Sequence, residues 1–480
     1  MKKTAIIFMV LLFALPVYSQ QDESFSDFYR QRMKEMKDWR AKANAEFSEY
    51  LASAWEEFLV QRGKKDPIGP VPDKPTFYDL SESGSQPAMH GIPSAGEMPL
   101  YSPVMVPAIS AQYSGGDDVS VDFFGVKEMI PFDKSMKLPR VQAEEKAVSE
   151  GWKYLSASTF MPTVEALEEI RDRYSLSDWA LYTAIKKFTD AVYIEEYINE
   201  KILTQMFLLC QMKYKVRVGV SGNELIILLP FTTPIYQVSY ISDGDDDYYI
   251  YSYSRLNSQT PLYTFSDDFS QSDRKFDLVI DKQITVSSAF YQDKMQPRFS
   301  EAMGVSFSVP INLPCVKFYL DYPQSDLVTY HKSAVDTELE NHVFKTIRYE
   351  VLKNEMGPKE AVAYVMKLIQ RGFDYKTDME MFGRSKPLFI EESFYYGANN
   401  CKDRVLLLSW IVKDLFGLDV VMLCYEGHVA CGIEFPEKVA GDSFSFNGKT
   451  YVMCDPTYIG APIGATMPQF RNVSPSIVQL

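Results

Sequence analysis

The sequence predicts an α+β protein of several domains, and three observations carry that reading. Its 480 residues exceed what one core organises, and 46% hydrophobic with 24% charged residues is the make-up of a folded globular chain. Helical and strand periodicities fall largely in separate stretches. The C-terminal part then sets one helix before three strands, Val420–Leu423, His428–Phe435 and Tyr451–Asp455.

Residues 1–19 read as a secretory signal peptide. Lys2 and Lys3 precede the apolar run Ala5–Val17, and Val17-Tyr18-Ser19 offers a cleavage site after Ser19. No cysteine follows that site, so a lipid anchor is not expected, and the expected location is periplasmic or extracellular. No later window approaches 18 uninterrupted apolar residues, so no integral membrane segment is expected after signal removal. The formal charge is −15, and about −17 once Lys2 and Lys3 leave. Such an acidic surface repels phosphate backbones and disfavours nucleic-acid partners.

Residues 20–62 carry an apolar stripe at helical spacing over 24–60, including Phe28, Met36, Trp39, Phe47 and Phe58. One helix of about 55 Å is predicted, packed on the chain's own domains or offered to a protein partner. Residues 63–112 form a Pro-rich linker, nine of the 27 prolines falling between Gln61 and Pro107. Residues 113–254 read as mixed α/β, with helices over 142–154, 163–172, 176–190 and 195–211 before a set of strands. The acidic cluster Asp243–Asp247 reads as a solvated hairpin turn, since its spacing is not that of a calcium loop. Residues 255–335 read as a small β module, with strands at Phe276–Ile280, Ile284–Ser288, Val305–Pro310 and Val316–Leu320. Within 336–480, helices Thr337–Lys353 and Pro358–Arg371 are followed by a polar loop, Thr377–Asn400.

The chemistry concentrates in residues 399–457. Val405, Leu408, Ile411, Val412 and Leu415 share a helical face, Gly417 ends the helix, and Asn400 can cap its start. Cys401 then sits on the first turn, where free N–H groups and the helix dipole favour a thiolate. A nucleophilic thiol needs a base, and the base needs an orienting group. His428, one of only four histidines, opens a strand, and Asp455 closes another before Pro456.

Cys401, Asp403, Gly417, His428, Val429, Asp455, Pro456 and Thr457 together resemble the transglutaminase-like superfamily of papain-type cysteine enzymes. The segments Phe373-Asp374-Tyr375, Glu391-Glu392 and Tyr395-Tyr396 resemble its exported Bacteroidetes members. The resemblance spans roughly 340–470. It implies a transglutaminase-like catalytic core over 336–480 with a Cys401-His428-Asp455 triad. It departs from the family at Asn399-Asn400 before the cysteine, where Gly-Asp is frequent, and at Val429-Ala430, where a Trp often follows the histidine. An oxyanion hole would use the Cys401 N–H and a second donor, with Tyr396 and Asn399 as candidates.

Other signals are weaker. Gly448-Lys449-Thr450 lacks the earlier glycine of a phosphate loop, and Cys424, Cys431, Cys454 and His428 lack the paired short spacing of a zinc site. Cys431 and Cys454 are expected close together, packed as thiols or bridged. Residues 196–253 repeat the order helix, strand, turn, strand. They are either a degenerate copy of the core or an unrelated α+β piece. The expected function is that of an exported transglutaminase-like cysteine peptidase, amidase or acyltransferase acting on a peptide or protein substrate, with no cofactor and no metal implied. The competing class is a non-enzymatic cell-envelope scaffold that retains the fold.

Overall fold

Two antiparallel sheets, each backed by a buried helix, organise the α+β chain; the computed structural model describes residues 22–78, 107–255, 260–304 and 306–480. The expected signal peptide and much of the expected linker lie outside these residues. Among the described residues no helix is long and apolar enough to cross a membrane.

The first sheet contains β1 (Arg217–Ser221), β2 (Glu224–Pro230), β3 (Tyr240–Asp243), β4 (Asp246–Tyr251) and β5 (Leu262–Thr264) in the order β5-β1-β2-β4-β3. The second contains β6 (Val420–Tyr425), β7 (His428–Glu434), β8 (Ser443–Phe446), β9 (Lys449–Cys454) and β10 (Ser476–Gln479) in the order β10-β6-β7-β9-β8. The orders are equivalent strand for strand, and every pairing is antiparallel in both. A helix precedes each set, α2 (Ile198–Gln211) packing on β2 and α3 (Cys401–Trp410) on β7. The central strands have no solvent face, which is why Leu-Ile-Ile-Leu-Leu and Val-Ala-Cys-Gly-Ile run nearly without polar residues.

The correspondence extends to single positions. Ser221 pairs with Glu224 across a two-residue turn as Tyr425 pairs with His428, so Glu224 occupies the place of His428. Ile227 faces Tyr251 as Cys431 faces Cys454, which puts Ser252 where Asp455 stands. Ile198 opens α2 where Cys401 opens α3. The first half therefore repeats the topology without Cys, His or Asp at these three places.

Several local expectations are corrected. The N-terminal helix, α1 (Asp22–Leu51), is shorter than 20–62, because the Trp55 indole donates to the Leu51 carbonyl at 3.1 Å and closes its end. The chain continues as strand Glu56–Phe58 on the β5 edge. Residues 255–335 are not all-β. Val316–Leu320 is helical, started by Pro314 and by Asn312, whose side chain accepts from the Cys315 N–H at 3.2 Å. Phe276–Ile280 and Ile284–Ser288 form no strand: Phe276 makes only an isolated parallel bridge with Phe231, and Ser288 begins a short 3-10 helix. The loop expected over Thr377–Asn400 contains helices Asp378–Phe382 and Ile390–Tyr396, the first begun by a Thr377–Glu380 capping box. Nor is the Asp243–Asp247 turn simply solvated: Asp243 pairs with Arg217, Asp246 with Lys215 and Asp247 with Lys64.

The stripe of α1 divides in two. Ala43, Phe47 and Leu51 are buried, with the Phe47 ring 4.8 Å from Trp152 and 5.3 Å from Phe269, whereas Phe28, Tyr29, Met36 and Trp39 are exposed. Phe47→Ala should accordingly cost about 3–5 kcal/mol in denaturant unfolding, and Trp39→Ala no more than about 0.5 kcal/mol. Equal losses would show that the outer half of α1 also packs on the body.

Candidate functional site

Cys401 is the first residue of α3, and all ten residues of that helix are buried. A helix enclosed on every side must pair its charged residues internally. Asn400 takes the cap position in extended conformation, and its N–H donates to Asp403 Oδ2 at 3.2 Å. Its side chain donates to Asp378 Oδ1 at 2.7 Å and accepts from Lys402 Nζ at 3.0 Å. Lys402 Nζ also lies 2.8 Å from both Asp378 oxygens. Burial pushes Asp403 up to about 6 against the pull of Lys402. Both residues beside Cys401 are thereby locked.

His428 opens β7 directly after the turn Glu426-Gly427. Its Nε2 lies 2.9 Å from Asp455 Oδ2, while Asp455 Oδ1 accepts from the N–H groups of Thr457 at 2.8 Å and Tyr458 at 3.2 Å. The carboxylate is thus held by backbone on one oxygen and presents the other to the ring. Burial works against charge on the imidazole, but Asp455 and a side-chain hydrogen bond with Cys401 outweigh it and raise its pKa to about 10. With Nε2 on Asp455, Nδ1 is the nitrogen left for the sulfur. The three predicted residues therefore meet in the order Cys401, His428, Asp455. Phe470 and Tyr425 flank the ring, at 5.1 and 6.3 Å from the imidazole centroid.

The two oxyanion candidates differ. Asn399 is fully buried; its Oδ1 accepts from Arg404 Nε at 3.0 Å, which fixes the amide, and its Nδ2 has no hydrogen-bond partner. Tyr396 ends the helix Ile390–Tyr396, with its ring edge-on to Phe382 at 5.2 Å and Tyr395 at 5.0 Å. Cys431 and Cys454 are direct cross-strand partners, and Cys431 Sγ donates to the Cys454 carbonyl at 3.1 Å; all six cysteines are free thiols.

The site is covered. Cys401, His428 and Asp455 are 0%, 1% and 3% exposed. Part of the cover is the segment 66–78, which falls within the expected linker. Ser385 Oγ donates to Asp66 at 3.2 Å, and Phe77 and Tyr78 run beside Ile459. The Pro70 carbonyl packs on Gly427, where a Cβ would meet it at 2.8 Å. Gly427 has φ +75°, so a side chain there would be strained as well as crowded.

Asp378, Lys402 and Arg404, none of them among the expected site residues, also build the candidate site. A signal for the two cations was present: Lys402 and Arg404 flank Asp403 directly after a cysteine at the start of a Leu-rich helix. Comparison of the chain with protein-family models, with curated proteins and with solved structures gives no match.

Two outcomes follow. Lys402→Met leaves Asp378 buried without its cation and should cost about 3–5 kcal/mol, measured by chemical denaturation; a loss under 1 kcal/mol would show that the pair is not holding the helix start. The folded His428 pKa of about 10 lies above its ordinary 6.5. Its stabilising contribution is therefore complete below pH 6.5 and is lost as pH rises through 10. The His428 ring signals in NMR should stay those of an imidazolium through neutral pH, and titration near 6.5 would contradict the ion pair.

Proposed function

We propose that this chain is an exported, transglutaminase-like cysteine enzyme that hydrolyses or transfers acyl groups at peptide-type amide bonds. The observation that carries the reading is the His428–Asp455 contact of 2.9 Å with Cys401 at the other side of the same ring, on a helix N-terminus. A helix opening on the cysteine and packed on an antiparallel strand pair supports the transglutaminase-like core.

Cys401 Sγ attacks the carbonyl carbon as a thiolate, and the carbonyl π electrons move onto oxygen. Collapse of the tetrahedral species expels the amine, which takes its proton from the His428 imidazolium, leaving a thioester on Cys401. Neutral His428 then removes a proton from water or from an acceptor amine as it attacks the thioester. A second tetrahedral collapse releases the acyl product and regenerates the thiolate–imidazolium pair. The Cys401 N–H and the Asn399 amide are the proposed donors to the oxyanion. Substrate reaches the sulfur only when the cover shifts.

The enclosure of the three side chains and the exposed outer half of α1 favour a second reading, a non-enzymatic cell-envelope scaffold that binds another protein through the fold. A peptidyl vinyl sulfone separates the two. The enzyme reading expects stoichiometric labelling at Cys401, slowed roughly 10²–10⁴-fold in His428→Ala. Labelling at the rate of a free cysteine, unchanged by that substitution, would favour the scaffold.

A further inference from the structure

Arg404 is fully buried three residues after Cys401 and ties together the strands around it. Its Nε donates to Asn399, its Nη2 to the Phe373 carbonyl at 2.9 Å and its Nη1 to the Pro456 carbonyl at 3.4 Å. The Tyr375 ring lies over this guanidinium, 5.4 Å from centroid to Cζ. Tyr375 also pairs with Asn399 in the short parallel bridge Asp374–Tyr375/Ala398–Asn399, two residues before Cys401. Backbone pairing and the buried cation together fix where the phenol can stand.

The Tyr375 hydroxyl is buried and has no hydrogen-bond partner. Leaving such a group unpaired costs about 1–3 kcal/mol, so it calls for a physical reason. The phenol lies within electrostatic range of Cys401, Asp403 and Asp455, and burial followed by Cys401 raises its pKa, which keeps the O–H a donor. Thr457 Oγ1 is also unpartnered, but the Thr457 N–H is bonded to Asp455, on the side of the imidazole away from the sulfur. Tyr375 instead pairs with Asn399, two residues before Cys401.

We propose that the Tyr375 hydroxyl donates a hydrogen bond to the oxyanion that forms on the substrate carbonyl when Cys401 attacks. The inference rests on the acyl-transfer reading and adds a donor that it does not contain. A donor without a partner in the resting site gains its bond only as negative charge develops on the carbonyl oxygen, so its contribution falls on the transition state. No proton leaves the phenol at any step.

Two small reagents test it on the full chain. Acylation of Cys401 by p-nitrophenyl acetate passes through a tetrahedral oxyanion, whereas alkylation by iodoacetamide displaces iodide directly and forms none. Tyr375→Phe should lower the acylation rate roughly 10- to 10³-fold and leave alkylation within about twofold, which also shows that the site remains folded. Equal effects on both reactions, or none on acylation, would overturn the role of Tyr375 while leaving the triad in place. A wild-type chain alkylated but never acylated at Cys401 would overturn the acyl-transfer reading itself. Should Tyr375→Phe fail to fold, 3-fluorotyrosine at 375 keeps the shape with a more acidic hydroxyl. A changed acylation rate with unchanged alkylation is then expected, and no change would overturn the proposal.

Discussion

The Lys402–Asp378 ion pair sets where the Cys401 sulfur can be. Cys401 opens a helix with no solvent-facing side, so its neighbour Lys402 is carried inward and must meet a carboxylate there. Asp378 supplies it from a separate short helix and also takes the Asn400 amide. A second buried pair, Lys386–Glu392 at 2.6 Å, ties down the same loop, and Glu392 accepts the Phe389 N–H at 3.1 Å. Desolvating such pairs is costly, and replacement by apolar residues of like volume is often neutral for stability. What the pairs contribute is position: they fix the turn before Cys401 in one arrangement.

The repeated topology separates the scaffold from the Cys-His-Asp set. In both halves a carboxylate two residues into the helix accepts a backbone N–H from upstream chain, Glu200 from Val141 at 2.6 Å and Asp403 from Leu388 at 3.0 Å. That contact belongs to the fold. Cys401, His428 and Asp455 correspond in position to Ile198, Glu224 and Ser252, so the Cys-His-Asp set belongs to one half only. The first half holds the same sheet and helix with none of those three side chains.

Much of the site was legible in the sequence because its signals are local. A cap before Cys401, a two-residue turn before His428 and a proline after Asp455 each fix a backbone position within three residues. The strand order of the second sheet brings these positions together, and β8 and β10, which complete it, carry weak patterns of only four residues each. The failures were of long range. Val316–Leu320 has strand composition, but the cap at Asn312 and Pro314 override it. The segment 66–78 has linker composition, and only its contacts with Ser385, Gly427 and Ile459 make it part of the cover. Arg404 is a cation on a helix, and burial from all sides makes it the tie between Asn399, Phe373 and Pro456.

Cys424 is the sulfur that could mimic the proposed nucleophile. It is only partly buried, it lies within electrostatic range of Cys401, and burial pushes its pKa up to about 11. The most direct measurement is therefore to locate the acyl group. The full chain is mixed with an activated acyl ester, quenched in acid before the thioester can turn over, and mapped by peptide mass. The account predicts a single acetyl group on Cys401, absent in Cys401→Ser and retained in Cys424→Ser. An acyl group on Cys424, or spread evenly over several cysteines, would contradict it.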